Sequence, residues 1–180
     1  MNLPNLITVF RLLLIPVFVI FLLEDKANLA LITFGIAGVS DALDGFLARV
    51  LDQRTLFGAY VDPIADKLLL ATAFVMLAIL GHLPGWLAVV VVSRDVIILG
   101  GIGILMINNR PLTIKPTYDS KITTFFQLLT ICFTLGKAYV TPYWFLSTYL
   151  IGVTAIFTVI SGFHYLIIGF QILGQSDRHT

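Results

Sequence analysis

The chain has 180 residues, 58% hydrophobic and 12% charged, with 11 Lys+Arg against 10 Asp+Glu and a formal net charge of +1. A soluble domain carries about 25% charged residues; a surface this poor in charge, with a mean hydropathy of +0.99, could not keep the chain monomeric in water. The composition excludes disorder, a collagen-like fibre and a soluble nucleic-acid binder, and leaves an all-α polytopic membrane protein.

A spanning helix needs about 20 mostly apolar residues. The sequence predicts six transmembrane helices, over 4–23, 28–49, 59–80, 86–107, 119–139 and 144–171, in a single domain over 1–180. The first run reads as a membrane helix and not as a cleaved leader, since no charged start and no small-residue cleavage site accompany it. Glu24, Asp25 and Lys26 separate the first two helices, and Asp52, Gln53 and Arg54 the next two. Gly81 to Gly85 form a tight turn, Asn108 to Tyr118 the longest loop, and Lys137 to Pro142 the last break. Arg49, Arg54, Arg110, Lys115, Lys121 and Arg178 fall on one side, against Lys26 and Lys137 on the other. The positive-inside rule therefore places the first side and both termini in the cytoplasm. Trp86, Trp144, Tyr139 and Tyr143 flank the far side as an interfacial belt. Cys132 reads as a small buried hydrophobe, His82 as a solvated or interfacial turn residue and His164, in the sixth helix, as packed or snorkelling and not catalytic.

Charged residues lie inside these spans: Arg11 in the first, Asp41, Asp44 and Arg49 in the second, Asp62, Asp66 and Lys67 in the third, Arg94 and Asp95 in the fourth. Each mid-membrane Asp costs roughly 2.5–3.5 kcal/mol on insertion scales, so such residues are functional candidates by default. Asp41 and Asp44 are spaced i,i+3, and Asp62 and Asp66 i,i+4, which puts each pair on one helix face. Both pairs sit one to two turns inside the cytoplasmic end. Two antiparallel helices can bring the four carboxylates around a cation. Four hard oxygen ligands select Mg²⁺, Mn²⁺ or Ca²⁺ over zinc, and two such ions would make a site for phosphoryl chemistry. Gly45 and Gly58, beside the acids, leave room for a ligand, while Gly35, Gly38, Gly100 and Gly101 read as helix-packing positions.

The stretch Asp41-x2-Asp44-Gly45-x2-Ala48-Arg49-x8-Gly58-x3-Asp62-x3-Asp66 resembles, at every fixed position, the signature of the CDP-alcohol phosphotransferase family of membrane enzymes. The length and six-helix plan extend the resemblance over the chain. The opening Pro4-Asn5-Leu6-Ile7-Thr8-Val9-Phe10-Arg11 looks like the start of its phosphatidylglycerophosphate synthase branch. The resemblance implies a transferase of phospholipid biosynthesis that moves the phosphatidyl group of CDP-diacylglycerol onto an alcohol and releases CMP. It implies two divalent cations, Mg²⁺ or Mn²⁺, held by Asp41, Asp44, Asp62 and Asp66, with Asp66 also the general base. Gly45, Arg49 and Gly58 would contact the CDP group, and Ala48 would leave it room. A polar cleft would open to the cytoplasm for the nucleotide and sideways to membrane lipids for the acyl chains. The expected location is the bacterial inner membrane. A homodimer through the third and fourth helices is an option that the sequence leaves open.

Arg94, Lys115 and Lys121 come from the cytoplasm-facing half of helices four and five and the loop joining them. An Arg and a Lys here match positions that hold an acceptor phosphate in enzymes similar to this one, while Lys115 equally suits a positive-inside loop residue facing anionic headgroups. Arg suits bidentate phosphate recognition and Lys supplies a point charge. Glycerol 3-phosphate is the expected acceptor and phosphatidylglycerol, giving cardiolipin, the alternative. The run Ser93-Arg94-Asp95-Val96, followed by Lys115-Pro116-Thr117, Ser120-Lys121, Thr124 and Gln127, looks more like the family's cardiolipin synthases. A metal- or proton-coupled transporter is the rival from another class, since intramembrane Asp residues also line ion pathways. Against it, the acids cluster near one face on two helices, with no inverted repeat.

Overall fold

The computed structural model describes residues 3–50, 56–107, 118–136 and 144–174, with side chains described over 7–41, 43, 64–101, 103, 119–136 and 146–169. The described residues form six helices and no strand: α1 (Leu3–Leu23), α2 (Ala27–Val50), α3 (Leu56–Ile79), α4 (Gly85–Ile107), α5 (Tyr118–Leu135) and α6 (Trp144–Gly174). The bounds agree with the predicted spans to within about one turn, which is the usual latitude of a helix end. Among the described residues one segment, Leu146–Gly169, is long and apolar enough by itself to cross a membrane, and Ile7–Leu23 and Ala27–Asp41 are shorter apolar stretches.

The helices present large apolar side chains outward, and the polar side chains they carry are turned inward beside an apolar core. On α2 the exposed residues Leu29, Ile32, Ile36, Val39 and Leu43 recur every three or four positions, so they form one continuous outer stripe. Phe10, Leu13, Val17 and Ile20 do the same on α1, and Ile156, Ile160, Phe163 and Ile167 on α6. The buried set, by contrast, includes Thr8, Arg11, Arg94, Asp95, Thr123, Gln127, Thr130, Thr154, Thr158 and Ser161. Apolar patches of this extent mark contact with lipid or with another protein.

α1 packs on α2 and α3, α3 on α4, α4 on α6, and α5 on α6, with lighter contacts of α5 to α2 and α3. The apolar core lies in the half of the bundle nearer the α1–α2 and α3–α4 turns. Phe18 and Phe34 meet there with ring centroids 5.8 Å apart, beside Leu70, Phe74, Leu77, Leu87, Val91 and Ile131.

Both turns use the same capping device. At the end of α3 the His82 amide donates to the Leu77 carbonyl (2.8 Å) and the Gly81 amide to that of Ala78 (3.1 Å), with Gly81 at φ 75°. At the end of α1 the Lys26 amide donates to the Phe21 carbonyl (2.9 Å) and the Asp25 amide to that of Leu22 (3.1 Å), with Asp25 at φ 57°. Each is a Schellman motif, which satisfies carbonyls left over at the helix end by passing through one left-handed residue.

Two expectations fail here. Cys132 is exposed, not buried. Gly35, Gly38, Gly100 and Gly101 have nothing within 4 Å of where a Cβ would stand, so they do not mediate close helix contacts among the described residues. In both cases an apolar or small residue carries no information on sidedness, because lipid and protein interior are alike in polarity. His82 is exposed in its turn, as expected, and Trp86 is exposed at the start of α4. Tyr139 and Tyr143, and the Trp144 side chain, lie outside the described set.

Candidate active site at the charged end of the bundle

The half of the bundle away from the tight turns holds the charges. On α1, Arg11 is completely buried, and its Nη1 forms an ion pair with Oδ1 of Asp41 on α2, whose own side chain is 44% exposed. A desolvated guanidinium must be matched by a carboxylate, so α1 brings the counter-charge to the first acid pair. Asp66 on α3 is half-buried and next to Lys67 in sequence. Asp44, Gly45, Ala48 and Arg49 lie in the last turns of α2, and Gly58 and Asp62 in the first turns of α3, while their side chains lie outside the described set. Lys115 lies outside the described residues altogether.

One residue beyond Asp66 a second cluster begins. The Lys67 ammonium lies 3.1 Å from Asp95 Oδ1, and Arg94 Nη1 donates to the same oxygen at 2.7 Å. Arg94 is 2% exposed and its remaining donors reach two other helices. Nη2 donates to Ser120 Oγ on α5 (2.7 Å), and Nη2 and Nε both to Ser161 Oγ on α6 (3.0 and 3.3 Å). Its guanidinium carbon also stands 5.9 Å from the ring centre of Tyr165, within cation–π range. Four helices therefore converge on Arg94 and Asp95. The arginine stem packs on α6 at Gly162, where a Cβ would stand in ordinary contact with Arg94 Cγ at 3.6 Å.

From Arg94 a polar seam runs along α5 and α6 towards the far end. Thr123 Oγ1 donates to the Phe157 carbonyl (3.0 Å), Gln127 Nε2 to Thr158 Oγ1 (3.4 Å), and Thr130 and Thr154 share a hydroxyl–hydroxyl bond of 2.8 Å. Residues 123, 127 and 130 lie on one face of α5 and 154, 158 and 161 on one face of α6, so the seam follows from helical spacing. Polar side chains of this kind hold helices together where the hydrophobic effect does not. At the outer end of the seam His164 Nδ1 and Asp119 Oδ2 are 2.6 Å apart, both partly exposed. Lys121 is exposed in the first turns of α5, two residues from Asp119.

Sequence reasoning offers a salt bridge between Arg94 and Asp95, which the structure shows, but names Arg11, Lys67 and His164 without giving them these partners. The usable signal was the count of cations facing the acids: a lone Arg in the first span and a Lys beside Asp66 both need a carboxylate nearby. Nothing in the spacing indicated which helix would supply it.

Comparisons with known proteins place the chain in a family. The family model described as CDP-alcohol phosphatidyltransferase matches residues 1–160. A CDP-diacylglycerol–glycerol-3-phosphate 3-phosphatidyltransferase of Pseudomonas fluorescens is 45% identical over 104 residues, covering 54% of this chain and 53% of its own. A probable phosphatidylglycerophosphate synthase of Mycobacterium tuberculosis is 36% identical over 136 residues, covering 72% and 64%. The human cardiolipin synthase (CMP-forming) is 31% identical over 151 residues, covering 75% and 50%. The chain thus spans between half and two thirds of the length of these relatives. With the family match running from the first residue to deep within α6, the chain belongs to the CDP-alcohol phosphatidyltransferase family.

Proposed function

We propose that the protein transfers the phosphatidyl group of CDP-diacylglycerol to glycerol 3-phosphate, forming phosphatidylglycerophosphate and releasing CMP. The observation that carries this reading is the adjacency of the two charged clusters: Asp66 and Lys67 are consecutive, and Lys67 reaches Asp95 beside Arg94. Asp66, read as the base, and Arg94, read as a phosphate-binding cation, stand at the same end of the bundle. In the reaction the acceptor hydroxyl oxygen forms a new bond to the phosphatidyl phosphorus. The bond from that phosphorus to the CMP phosphate oxygen breaks, the bonding pair leaves with CMP, and Asp66 takes the hydroxyl proton. Arg94, Lys121 and Lys115 hold the acceptor phosphate, and Gly45, Ala48, Arg49 and Gly58 accommodate the CDP group. The Pseudomonas fluorescens relative named for glycerol 3-phosphate supports this acceptor.

The family uses divalent cations. The donor set fits them: Asp41, Asp44, Asp62 and Asp66 offer only carboxylate oxygen, and Asp41 stays 44% exposed although Arg11 is buried against it, so a cation can reach it. Two bound ions, Mg²⁺ or Mn²⁺, would supply the positive charge that diphosphate cleavage requires. The six helices are read as crossing the membrane, because all of them turn large apolar side chains outward. The charged end and both termini then face the cytoplasm of a bacterial inner membrane, where the nucleotide is found, in a single domain over 1–180.

A second acceptor has its own support. The match to the human cardiolipin synthase covers 75% of the chain, more than the Pseudomonas relative does. The deciding assay supplies purified protein in lipid–detergent micelles with CDP-diacylglycerol and Mg²⁺ or Mn²⁺, offers glycerol 3-phosphate and phosphatidylglycerol in parallel, and reads products by mass spectrometry. Phosphatidylglycerophosphate is the expected product, and excess chelator is expected to abolish it. Cardiolipin alone would replace the acceptor, and absence of CMP release from folded protein would overturn the reading.

A further inference from the structure

Asp95 occupies a place that neither metal binding nor acceptor binding explains. It is 3% exposed, and a single oxygen, Oδ1, faces both Lys67 Nζ at 3.1 Å and Arg94 Nη1 at 2.7 Å. Oδ2 has no hydrogen-bond partner among the described residues. An arginine and a carboxylate joined for stability alone pair most strongly in a two-oxygen fork. Here one oxygen is divided between cations of two helices, and Arg94 passes the constraint on to α5 and α6 through Ser120 and Ser161. The three charges Lys67⁺, Asp95⁻ and Arg94⁺ sum to +1. Removal of the carboxylate would leave two neighbouring cations to repel each other in a poorly solvated place.

We propose that Asp95 is a positioning residue of the transfer reaction: by holding Lys67 and Arg94 on one oxygen it fixes the Asp66 turn of α3 against the acceptor-phosphate subsite. The inference rests on the function proposed above. Its chemical content is distance control. The acceptor hydroxyl must lie within hydrogen-bond reach of Asp66 while its phosphate is bound several ångströms away at Arg94, and a displacement of about 1 Å can cost on the order of a hundredfold in rate. Lys67 acts through the same link, so the two residues form one unit.

The test is a double-mutant cycle on the full chain in micelles, with Asp95→Asn, Lys67→Met and the pair, each followed by steady-state kinetics for glycerol 3-phosphate and by thermal unfolding. Asp95→Asn should lower kcat about a hundredfold and leave KM for the acceptor within about threefold, because Arg94 and Lys121 remain to bind it. Asp95→Glu, which keeps the charge, should recover at least about tenfold of that loss. The double variant should be no slower than Asp95→Asn alone, since both substitutions break one link. Multiplying losses, a loss carried by KM, or wild-type kcat in Asp95→Asn would each overturn the proposal. Where Asp95→Asn does not fold, Lys67→Met decides: it leaves Asp95 paired with Arg94, and an unchanged kcat there overturns the link. An inactive wild type overturns the proposed function and this inference together, whereas an active wild type with unaffected variants overturns the inference alone.

Discussion

The two halves of the bundle are built on different principles. Near the α1–α2 and α3–α4 turns the interior is apolar, with Phe18, Phe34, Leu70, Phe74, Leu77 and Leu87 in contact and short, fully capped connections. At the opposite end lie Arg11 with Asp41 and Lys67 with Asp95, paired across helices, Arg94 paired with Asp95 within α4, and Asp66 beside Lys67. Each buried charge there is costly, and a buried pair is seldom a better source of stability than well-packed apolar residues. The difference separates anchoring from chemistry: one half fixes the helix arrangement, and the other can carry groups chosen for reactivity.

The largest expected effect breaks the anchoring half. Phe74→Ala removes a fully buried ring and should cost about 3–5 kcal/mol of stability, read as a fall in the thermal midpoint in detergent. Activity per folded molecule should survive below that midpoint. A loss of kcat with an unchanged midpoint would show that the two halves are not separable in this way.

The next effect sits at the charged end. Asp66→Asn should keep the fold and lower transfer at least about a hundredfold, as expected where a general base and metal ligand is neutralised. Its midpoint should stay close to that of the wild type, since Asp66 is only half-buried and no ion pair depends on it among the described residues. Near-normal turnover would remove Asp66 from the reaction.

The same division governs what could be read in advance. Helix positions were legible because each break is a cluster of polar, Gly or Pro residues between long apolar runs, and the acid pairs were legible because carboxylates in such runs have no cheap explanation. Arg11 with Asp41, Lys67 with Asp95, and Asp119 with His164 were not legible as pairs. Each depends on how a helix is rotated against its neighbour, and periodicity describes one helix at a time. The Thr and Gln seam between α5 and α6 was hidden for the same reason. Cys132 and the four packing glycines were misread because lipid rewards apolar residues outside as much as the core does inside.

The smallest effect sharpens the contrast within the anchoring half itself, where the two Schellman turns differ in one respect. Gly81 occupies the left-handed position at the end of α3, and Asp25 occupies it at the end of α1. Left-handed backbone costs an L-residue roughly 1–2 kcal/mol, less for Asp, and glycine adopts it freely. Space is not at issue at Gly81, where a Cβ would meet nothing within 4 Å. Gly81→Ala should therefore lose about 1 kcal/mol for conformational reasons alone, and Asp25→Gly should gain a few tenths to about 1 kcal/mol, the relieved strain exceeding the entropy that glycine adds to the unfolded chain. Thermal midpoints that move in opposite directions, with transfer activity unchanged in both, would support the division between an anchoring end and a reactive one. A destabilised Asp25→Gly would mean that the Asp25 side chain contributes to its turn beyond tolerating the backbone.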